Sequence, residues 1–224
     1  MTDGTANGEG GTLPERREFF KDIYRSAGGD AGRIPWADLA AKAVLHEWLV
    51  KNPGDGKRTA IDIGCGLGDN AEALAAAGYE TTAFDLSEHA IGWARKRFPG
   101  SPVDYTVADL FDLPERWKGA FDLVNECYTL QSLSPGMLAE TAAAIASLVR
   151  PGGTLLVYAR WRADGAEVNG PPWPLEESKL HVFADLGFTL QSEDRFTVER
   201  PGRKIPHSFA VWRKPPIVGP DETI

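Results

Sequence analysis

Cysteine and histidine are scarce in this sequence of 224 residues, which has two cysteines and four histidines. Two thiols in a chain of this length do not make a disulfide framework, and we expect both to stay reduced. The histidines are scattered, and neither a paired-histidine motif nor a cysteine cluster predicts a metal site. The composition therefore excludes a disulfide-rich secreted module, and we expect no bound metal.

Long apolar runs and an excess of positive charge are also missing. No stretch approaches the ~20 apolar residues that span a bilayer. Residues 1–11 lack the basic and apolar regions of a signal peptide, and we predict a disordered tail over residues 1–12. The formal net charge is −8, so the chain repels phosphate backbones. We expect a cytoplasmic protein with neither nucleic acid nor membrane as a partner.

What the chain does have is a regular alternation of strand-like and helix-like segments between residues 59 and 159. Such an alternation predicts an α/β fold, with a parallel sheet that helices cover on both faces. Ahead of it, apolar residues at helical spacing predict two helices over residues 14–26 and 38–50, which form an N-terminal helical cap. The length fits one domain of this class better than two.

The pattern changes after Arg160. A loop rich in proline, glycine and tryptophan spans residues 161–174, and a helix is predicted over residues 175–186. Two β-rich runs follow, over residues 189–198 and 205–212, separated by Arg-Pro-Gly. We predict that these two runs pair as a C-terminal antiparallel hairpin.

The strongest local signal is the segment IDIGCGLG at residues 61–68, where a predicted strand turns into a helix. Glycines at such a turn let the backbone pass close beneath a ligand. Asp85 ends the next predicted strand, 17 residues past Gly68, where a carboxylate can accept both hydroxyls of a ribose. Dinucleotide enzymes use G-x-G-x-x-G, whereas here the third glycine comes one residue early and Asp69 follows it. An acid at that helix start disfavours a pyrophosphate and suits a cationic ligand with an amino-acid tail.

Five segments in family order resemble the class I S-adenosylmethionine-dependent methyltransferases. They are DIGCGLG at 62–68, FDLS at 84–87, ADLF at 108–111, FDLV at 121–124 and PGG at 151–153. The resemblance implies a Rossmann-like, doubly wound, mostly parallel seven-stranded sheet, with S-adenosylmethionine as the cofactor and a small molecule as the methyl acceptor. It also implies a single methyltransferase domain over residues 13–224, made of a cap (13–53), a cofactor-binding core (57–160) and a substrate-side segment (161–224).

The resemblance also implies roles for individual residues. Asp62 either orders the glycine loop through backbone N–H groups or touches the ligand directly. Asp85 and Asp109 remain open to a second interpretation, as ordinary turn residues at strand ends. The implied cofactor-binding residues are Gly64 and Gly66 under the methionine moiety, Asp85 and Leu86 at the ribose, Asp109 and Leu110 at the adenine, and Asn125 near the methionine.

Aromatic residues outside the core motifs are candidates for a roof over the strand ends, or else for ordinary core. Residues 34–36, Ile-Pro-Trp, resemble the N-terminal element of small thiopurine- and thiol-type methyltransferases, and we place Trp36 with the cofactor-binding residues. Tyr24, Tyr128 and Trp173 are candidates for substrate binding. Arg160 is a further candidate, which either recognises an anionic group of the substrate or lies on the solvated surface.

Methyl transfer from a sulfonium is an in-line displacement that needs little acid–base help when the nucleophile is soft. An alcohol, a phenol or an amine can need a base, and the candidate catalytic groups are Tyr128, Glu126 and His181. We rank a thiol or other soft acceptor first, then oxygen, then nitrogen. The segment NECY at residues 125–128 lacks the N/D-P-P-Y motif, which argues against methylation of nucleic-acid bases.

Two other functions compete with this interpretation. A nicotinamide-dependent dehydrogenase is disfavoured by the glycine spacing. A non-catalytic protein that binds S-adenosylmethionine would keep the same cofactor residues, because those residues identify the methyl donor and not the acceptor. We expect a monomer or a homodimer.

Overall fold

Five parallel strands form the centre of the molecule in the computed structural model, which describes residues 13–217. The predicted tail over residues 1–12 therefore lies outside the described residues, as do residues 218–224. The strands and the helices between them are β1 (Thr59–Ile63), α3 (Asp69–Ala76), β2 (Glu80–Asp85), α4 (Glu88–Arg97), β3 (Asp104–Val107), β4 (Phe121–Cys127), α5 (Leu138–Leu148) and β5 (Val149–Arg162).

The C-terminal part of the chain adds two antiparallel strands to this sheet. Strands β7 (Thr189–Arg200) and β8 (Arg203–Arg213) form a hairpin, and β8 pairs with β5. Among the described residues the order is β3-β2-β1-β4-β5-β8-β7, and the two-residue β6 (Leu175–Glu176) pairs with the end of β5. The predicted Rossmann-like, mostly parallel seven-stranded sheet with a terminal antiparallel hairpin is confirmed.

Both faces of the central strands β1, β4 and β5 are buried over most of their length, which explains why these strands are rich in apolar residues. Neighbouring residues of β4 point to opposite faces of the sheet. Val124 packs with Ile145 of α5 on one face, and Leu123 packs with Leu45 and Leu49 on the other. Among residues 13–217, none of the helices combines the length and the apolar character that crossing a bilayer requires.

Two helices precede the sheet, as the N-terminal pattern predicts. Helix α1 (Leu13–Ala27) matches the predicted segment closely, whereas α2 (Ala43–Lys51) begins five residues later than predicted. Leu39 has φ 55°, a left-handed conformation that an α-helix does not contain. The chain between the two helices is therefore irregular, and it carries Trp36 to the carboxyl ends of the strands.

The prediction of a helix over residues 175–186 is wrong. Leu175 starts this segment in β6, where it pairs with Trp161 of β5. Single 3₁₀ turns follow at Glu177–Lys179 and Ala184–Leu186. Leu180 and Phe183 are buried in the main core, so tertiary packing and strand pairing override the helical propensity of the segment.

Candidate active site

A cavity of about 280 Å³ opens where the carboxyl ends of β1, β2 and β4 meet, the place where ligands bind in sheets of this kind. Helix α1 and Trp36 cover it. The structure brings most of the predicted site residues to its wall. Those that line it are Tyr24, Trp36, Gly64, Asp85, Leu86, Asp109, Leu110, Tyr128 and Arg160.

The glycine loop after β1 passes directly beneath the roof. Gly64 and Gly66 have φ values of 58° and 52°, which side chains rarely allow. A Cβ atom at Gly66 would lie 2.8 Å from the hydroxyl oxygen of Tyr24, and one at Gly64 would lie 3.1 Å from Oγ1 of Thr129. Both positions therefore require glycine. The backbone of Gly64 is exposed and forms part of the cavity floor, whereas Gly66 is buried and does not line the cavity.

Asp85 is fixed by the backbone around it. Its Oδ2 accepts a 3.0 Å hydrogen bond from the N–H of Gly66, and its Oδ1 accepts one of 2.9 Å from the N–H of Ser87. Burial raises the pKa of Asp85 to about 6, against the opposing effect of those backbone donors. The carboxyl group is thus mainly ionised at neutral pH, lines the cavity and keeps free lone pairs for ribose hydroxyls.

Asp109 follows β3 and lies at the other end of the same wall. Its Oδ1 accepts a 2.9 Å hydrogen bond from the N–H of Phe111, which holds the loop. Its Oδ2 forms an ion pair of 2.5 Å with Arg17 of α1. Leu110 beside it is nearly buried and contributes an apolar wall, which suits a flat purine ring.

Asp62 and Asn125 lie below the floor of the cavity and do not line it. The side-chain amide of Asn125 donates a 2.7 Å hydrogen bond to Oδ1 of Asp62 across the pairing of β1 with β4. Burial raises the pKa of Asp62 to about 7. This arrangement fits an Asp62 that orders the strand ends beneath the ligand.

Asp69 does not repel anions as strongly as its sequence position suggests. Both of its oxygens accept 2.7 Å hydrogen bonds from Arg97, whose guanidinium also donates a 2.6 Å bond to the carbonyl of Leu67. This arginine offsets the charge of the acid. The distinction from a dinucleotide site therefore depends on the glycine spacing and the other motifs.

The roof of the cavity is aromatic and is connected by hydrogen bonds. The indole N–H of Trp36 donates a 2.8 Å hydrogen bond to the hydroxyl oxygen of Tyr24. Arg16, which no sequence motif marks, is buried, and its guanidinium carbon lies 4.7 Å from the ring centroid of Trp173. Arg16 donates a 2.7 Å hydrogen bond to the carbonyl of Ser132. Trp173 therefore lies behind the cavity wall and supports it.

Tyr128 and Arg160, two of the candidates for substrate binding, line the same cavity, and we call the part around them the acceptor end. The hydroxyl oxygen of Tyr128 lies 2.9 Å from Nε2 of His207, and the Arg160 guanidinium carbon lies 5.2 Å from the centroid of the Tyr128 ring. Burial raises the pKa of Tyr128 to about 12. The sequence offered no sign that His207 reaches this place, because its position depends on the pairing of β8 with β5.

Two of the candidate catalytic groups do not line the cavity. Glu126 is fully buried and does not line the cavity, and its Oε1 accepts hydrogen bonds from the N–H groups of Thr129 (2.6 Å) and Leu130 (3.1 Å). Burial raises its pKa to about 8. His181 lies outside the cavity, where its Nε2 is 3.1 Å from Glu193. Within residues 13–217, no group of three or more His, Cys, Asp or Glu side chains is arranged to hold a metal ion.

The geometry agrees with the proteins that this chain resembles. A family model described as "Methyltransferase domain" matches residues 60–153. A ubiquinone biosynthesis O-methyltransferase of Aromatoleum aromaticum is 41% identical over 127 residues, which are 53% of each chain. A protein of the same name from Dechloromonas aromatica is 29% identical over 196 residues, 86% of this chain and 72% of that one. The match thus spans only about half of the Aromatoleum protein.

Solved structures share the fold over nearly the whole chain. One, described as "Conversion of a Disulfide Bond into a Thioacetal Group during Echinomycin Biosynthesis", has a TM-score of 0.73 at 25% identity and covers 90% of this chain and 94% of that one. The 1,6-didemethyltoxoflavin-N1-methyltransferase of Burkholderia thailandensis has a TM-score of 0.73 at 20% identity, over 96% and 98% of the two chains. At that identity it shows the fold alone. Residues 60–153 match a methyltransferase domain, and the chain resembles the class I S-adenosylmethionine-dependent methyltransferases in sequence and in fold.

Proposed function

We propose that the protein transfers the methyl group of S-adenosylmethionine to a hydroxyl oxygen of a small aromatic acceptor. The observation that carries this proposal is the continuity of one cavity, which connects Asp85 and Asp109 to Tyr128 and Arg160 beneath an aromatic roof. The cofactor supplies an electrophilic methyl group when it is bound. The protein supplies position and exclusion of water, since an in-line displacement depends on both.

Three parts of the cavity fit three parts of the cofactor. The loop at Gly64 fits the methionine moiety, Asp85 fits the ribose hydroxyls, and Asp109 with Leu110 fits the adenine. The backbone at the loop has no room for a side chain, and the N–H groups of Gly66 and Ser87 hold the Asp85 carboxyl group next to it. These are the features of a site for a cationic nucleoside without a phosphate.

The acceptor end favours an oxygen nucleophile over the thiol that the sequence analysis ranks first. The relatives from Aromatoleum and Dechloromonas are named as O-methyltransferases. A thiol is acidic enough to react with little help, whereas a hydroxyl benefits from groups that remove its proton. The hydrogen-bonded pair of Tyr128 and His207 is such a group, and Arg160 suits the negative charge that develops on the acceptor oxygen.

A product assay tests the proposal. The purified protein is incubated with S-adenosylmethionine and separate sets of catechols, phenols, thiols and amines, and mass spectrometry detects S-adenosylhomocysteine with the methylated product. We expect turnover among the catechols and phenols. Turnover of thiols alone would favour the thiol acceptor that the sequence ranks first. Binding of the cofactor without any turnover would favour a non-catalytic binding protein.

A further inference from the structure

Tyr128 has an unusual backbone conformation at the end of β4. Its φ is 71°, a left-handed value that is rare for a bulky aromatic residue and costs free energy. Its N–H donates a 3.0 Å hydrogen bond to the carbonyl of Tyr158, so the conformation is held by the sheet. The result is that the ring lines the cavity while its hydroxyl reaches the neighbouring C-terminal hairpin.

His207 is a single defined tautomer where it meets the hydroxyl of Tyr128. Nδ1 of His207 lies 2.8 Å from the carbonyl oxygen of Ile205, which can only accept, so Nδ1 carries the proton. In the neutral ring Nε2 is then an acceptor, and the hydroxyl of Tyr128, 2.9 Å away, donates to it. The imidazole is almost wholly buried and stacks on Phe196, with an angle of 14° between the rings.

We propose that Tyr128 and His207 form a relay that takes the proton from the acceptor hydroxyl during methyl transfer. This inference rests on the proposed function and adds His207 to it as a positioning and proton-accepting residue that acts through Tyr128. Because the Tyr128 proton is donated to His207, the phenolic oxygen can accept a hydrogen bond from the acceptor, in competition with the side chains of Tyr158 and Arg160 that also face it.

The relay balances protons and electrons without another reactant. The acceptor oxygen forms its bond to the methyl carbon, and the electron pair of the broken carbon–sulfur bond stays with sulfur. The acceptor proton passes to the oxygen of Tyr128, and the proton of Tyr128 passes to Nε2 of His207. The imidazolium then holds one proton on each nitrogen and returns the extra one to solvent when product leaves.

The charges around His207 suit this role. Burial lowers its pKa first, and three nearby cations lower it further. The ring is therefore neutral at physiological pH, and its Nε2 is a hydrogen-bond acceptor toward Tyr128. The same cations favour an acceptor oxyanion over the protonated acceptor. The charged and titratable groups facing His207 are Lys42 before α2, Arg160 and Tyr158 of β5, Tyr128 after β4 and Arg200 of β7.

Kinetics of three variants with catechol as the acceptor test the relay. Catechol stays largely protonated at neutral pH, like the phenol of tyrosine with its pKa of about 10. We expect Tyr128→Phe and His207→Gln each to lower kcat by about 100-fold with little change in KM, because general-base help of this kind is worth at least that much. We expect the double variant to be no slower than either single variant, since the two groups act as one unit.

The pH profile separates a relay from a purely structural contact. In the wild type kcat should fall as the pH drops through the lowered pKa of His207, because the protonated ring cannot accept, and this limb should vanish in both single variants. His46→Gln, an exposed histidine of α2, is the matched control and should keep the wild-type profile. Effects that multiply in the double variant, or an unchanged acid limb, would overturn the relay.

A second readout does not depend on turnover. Nitrogen NMR of histidine-labelled protein with S-adenosylhomocysteine should show His207 protonated at Nδ1 alone before catechol is added. On addition of catechol its Nε2 signal should shift toward the protonated value in the wild type and stay unchanged in Tyr128→Phe. A protonated Nε2 before addition, or the same shift in the variant, contradicts the relay.

Stability and function are checked separately. His207→Gln can lose activity because it is less stable, which a much lower melting temperature would reveal. In that case Tyr128→Phe, which keeps the aromatic wall of the cavity, is the variant that tests the relay. A wild-type protein that binds S-adenosylmethionine but methylates none of the oxygen acceptors contradicts the proposed function, and the NMR result still tests the hydrogen-bonded pair.

Discussion

Arg17 and Asp109 form an ion pair with an N···O distance of 2.5 Å, which connects helix α1 to the loop after β3. The pair lies where the adenine of the cofactor is expected. It links the helix that covers the cavity to a residue that lines it, so closure of the roof and cofactor affinity should depend on each other.

Arg17→Gln should speed dissociation of S-adenosylmethionine and weaken its affinity a few-fold. The pair is partly exposed to solvent, and such pairs are worth about 0–1 kcal/mol. Stopped-flow fluorescence of the roof tryptophan, in low and high salt, measures the dissociation rate. Lys21→Gln on an exposed turn of the same helix is the control. The prediction is contradicted if Arg17→Gln leaves the dissociation rate unchanged. It is also contradicted if both variants keep the salt dependence of the wild type, because the ion pair would then not control release of the cofactor.

Arg97→Lys should destabilise the glycine loop and so lower the free energy of unfolding. A lysine keeps the charge but cannot make the two parallel hydrogen bonds to Asp69 together with the bond to the Leu67 carbonyl. We expect a loss of roughly 1–3 kcal/mol in the free energy of unfolding, measured by chemical denaturation. Arg203→Lys, at an exposed position of β8, should cost nothing measurable. Equal stability of the two variants would mean that the paired hydrogen bonds from Arg97 to Asp69 contribute little to the free energy of unfolding.

Three buried carboxyl groups should make the protein less stable as the pH rises. Burial raises the pKa of Asp85 to about 6, of Asp62 to about 7 and of Glu126 to about 8. The folded state therefore holds their protons more tightly than the unfolded state, and the free energy of unfolding falls between the ordinary carboxyl pKa and these raised values.

Glu126→Gln should reduce that loss of stability. The amide oxygen still accepts from the N–H groups of Thr129 and Leu130, but the side chain can no longer ionise. Melting temperatures across the pH range should converge with the wild type in acid and exceed it in alkali. Glu140→Gln, an exposed residue of α5, is the control and should follow the wild type. A variant that follows the wild type at alkaline pH would show that Glu126 does not ionise there.

His181→Gln should leave methyl transfer unchanged. Its imidazole is half exposed, lies beside Glu193 and packs on Trp212, away from the cavity. We expect kcat and KM within about twofold of the wild type over the full pH range. A loss of activity confined to low or high pH would mean that this segment moves toward the acceptor during turnover.

The sequence predicts the cofactor side of this molecule well because its signals are local. The glycine loop, the acid ending β2 and the turns at strand ends occur at fixed distances along the chain, and parallel strands bring their carboxyl ends together. Asp85 and Asp109 therefore line one cavity, as their spacing predicts. The alternation of segments predicts the parallel strands, and the two β-rich runs separated by Arg-Pro-Gly predict the terminal hairpin.

The acceptor side was less predictable because it depends on contacts between distant segments. His207 meets Tyr128 only through the register that places it opposite Arg160 of β5, and a shift of one residue would turn it to the other face. Glu126 and Tyr128 are two residues apart, a spacing that puts side chains on the same face of a regular strand. Tyr128 has a left-handed φ of 71° and lines the cavity, whereas Glu126 is buried and does not line it. Residues 175–186 form β6 and 3₁₀ turns because pairing and burial outweigh local propensity.

Calorimetric titration of S-adenosylmethionine into the wild type and Asp85→Asn tests the assignment of the cofactor site, with Asp194→Asn, at an exposed position of β7, as the control and NAD as the competing ligand. We expect the wild type and the control to bind S-adenosylmethionine alike, and Asp85→Asn to bind it about ten- to hundredfold more weakly, as loss of a charged hydrogen bond to ribose requires. Failure of the wild type to bind, affinity that ignores Asp85, or preference for NAD would contradict the account.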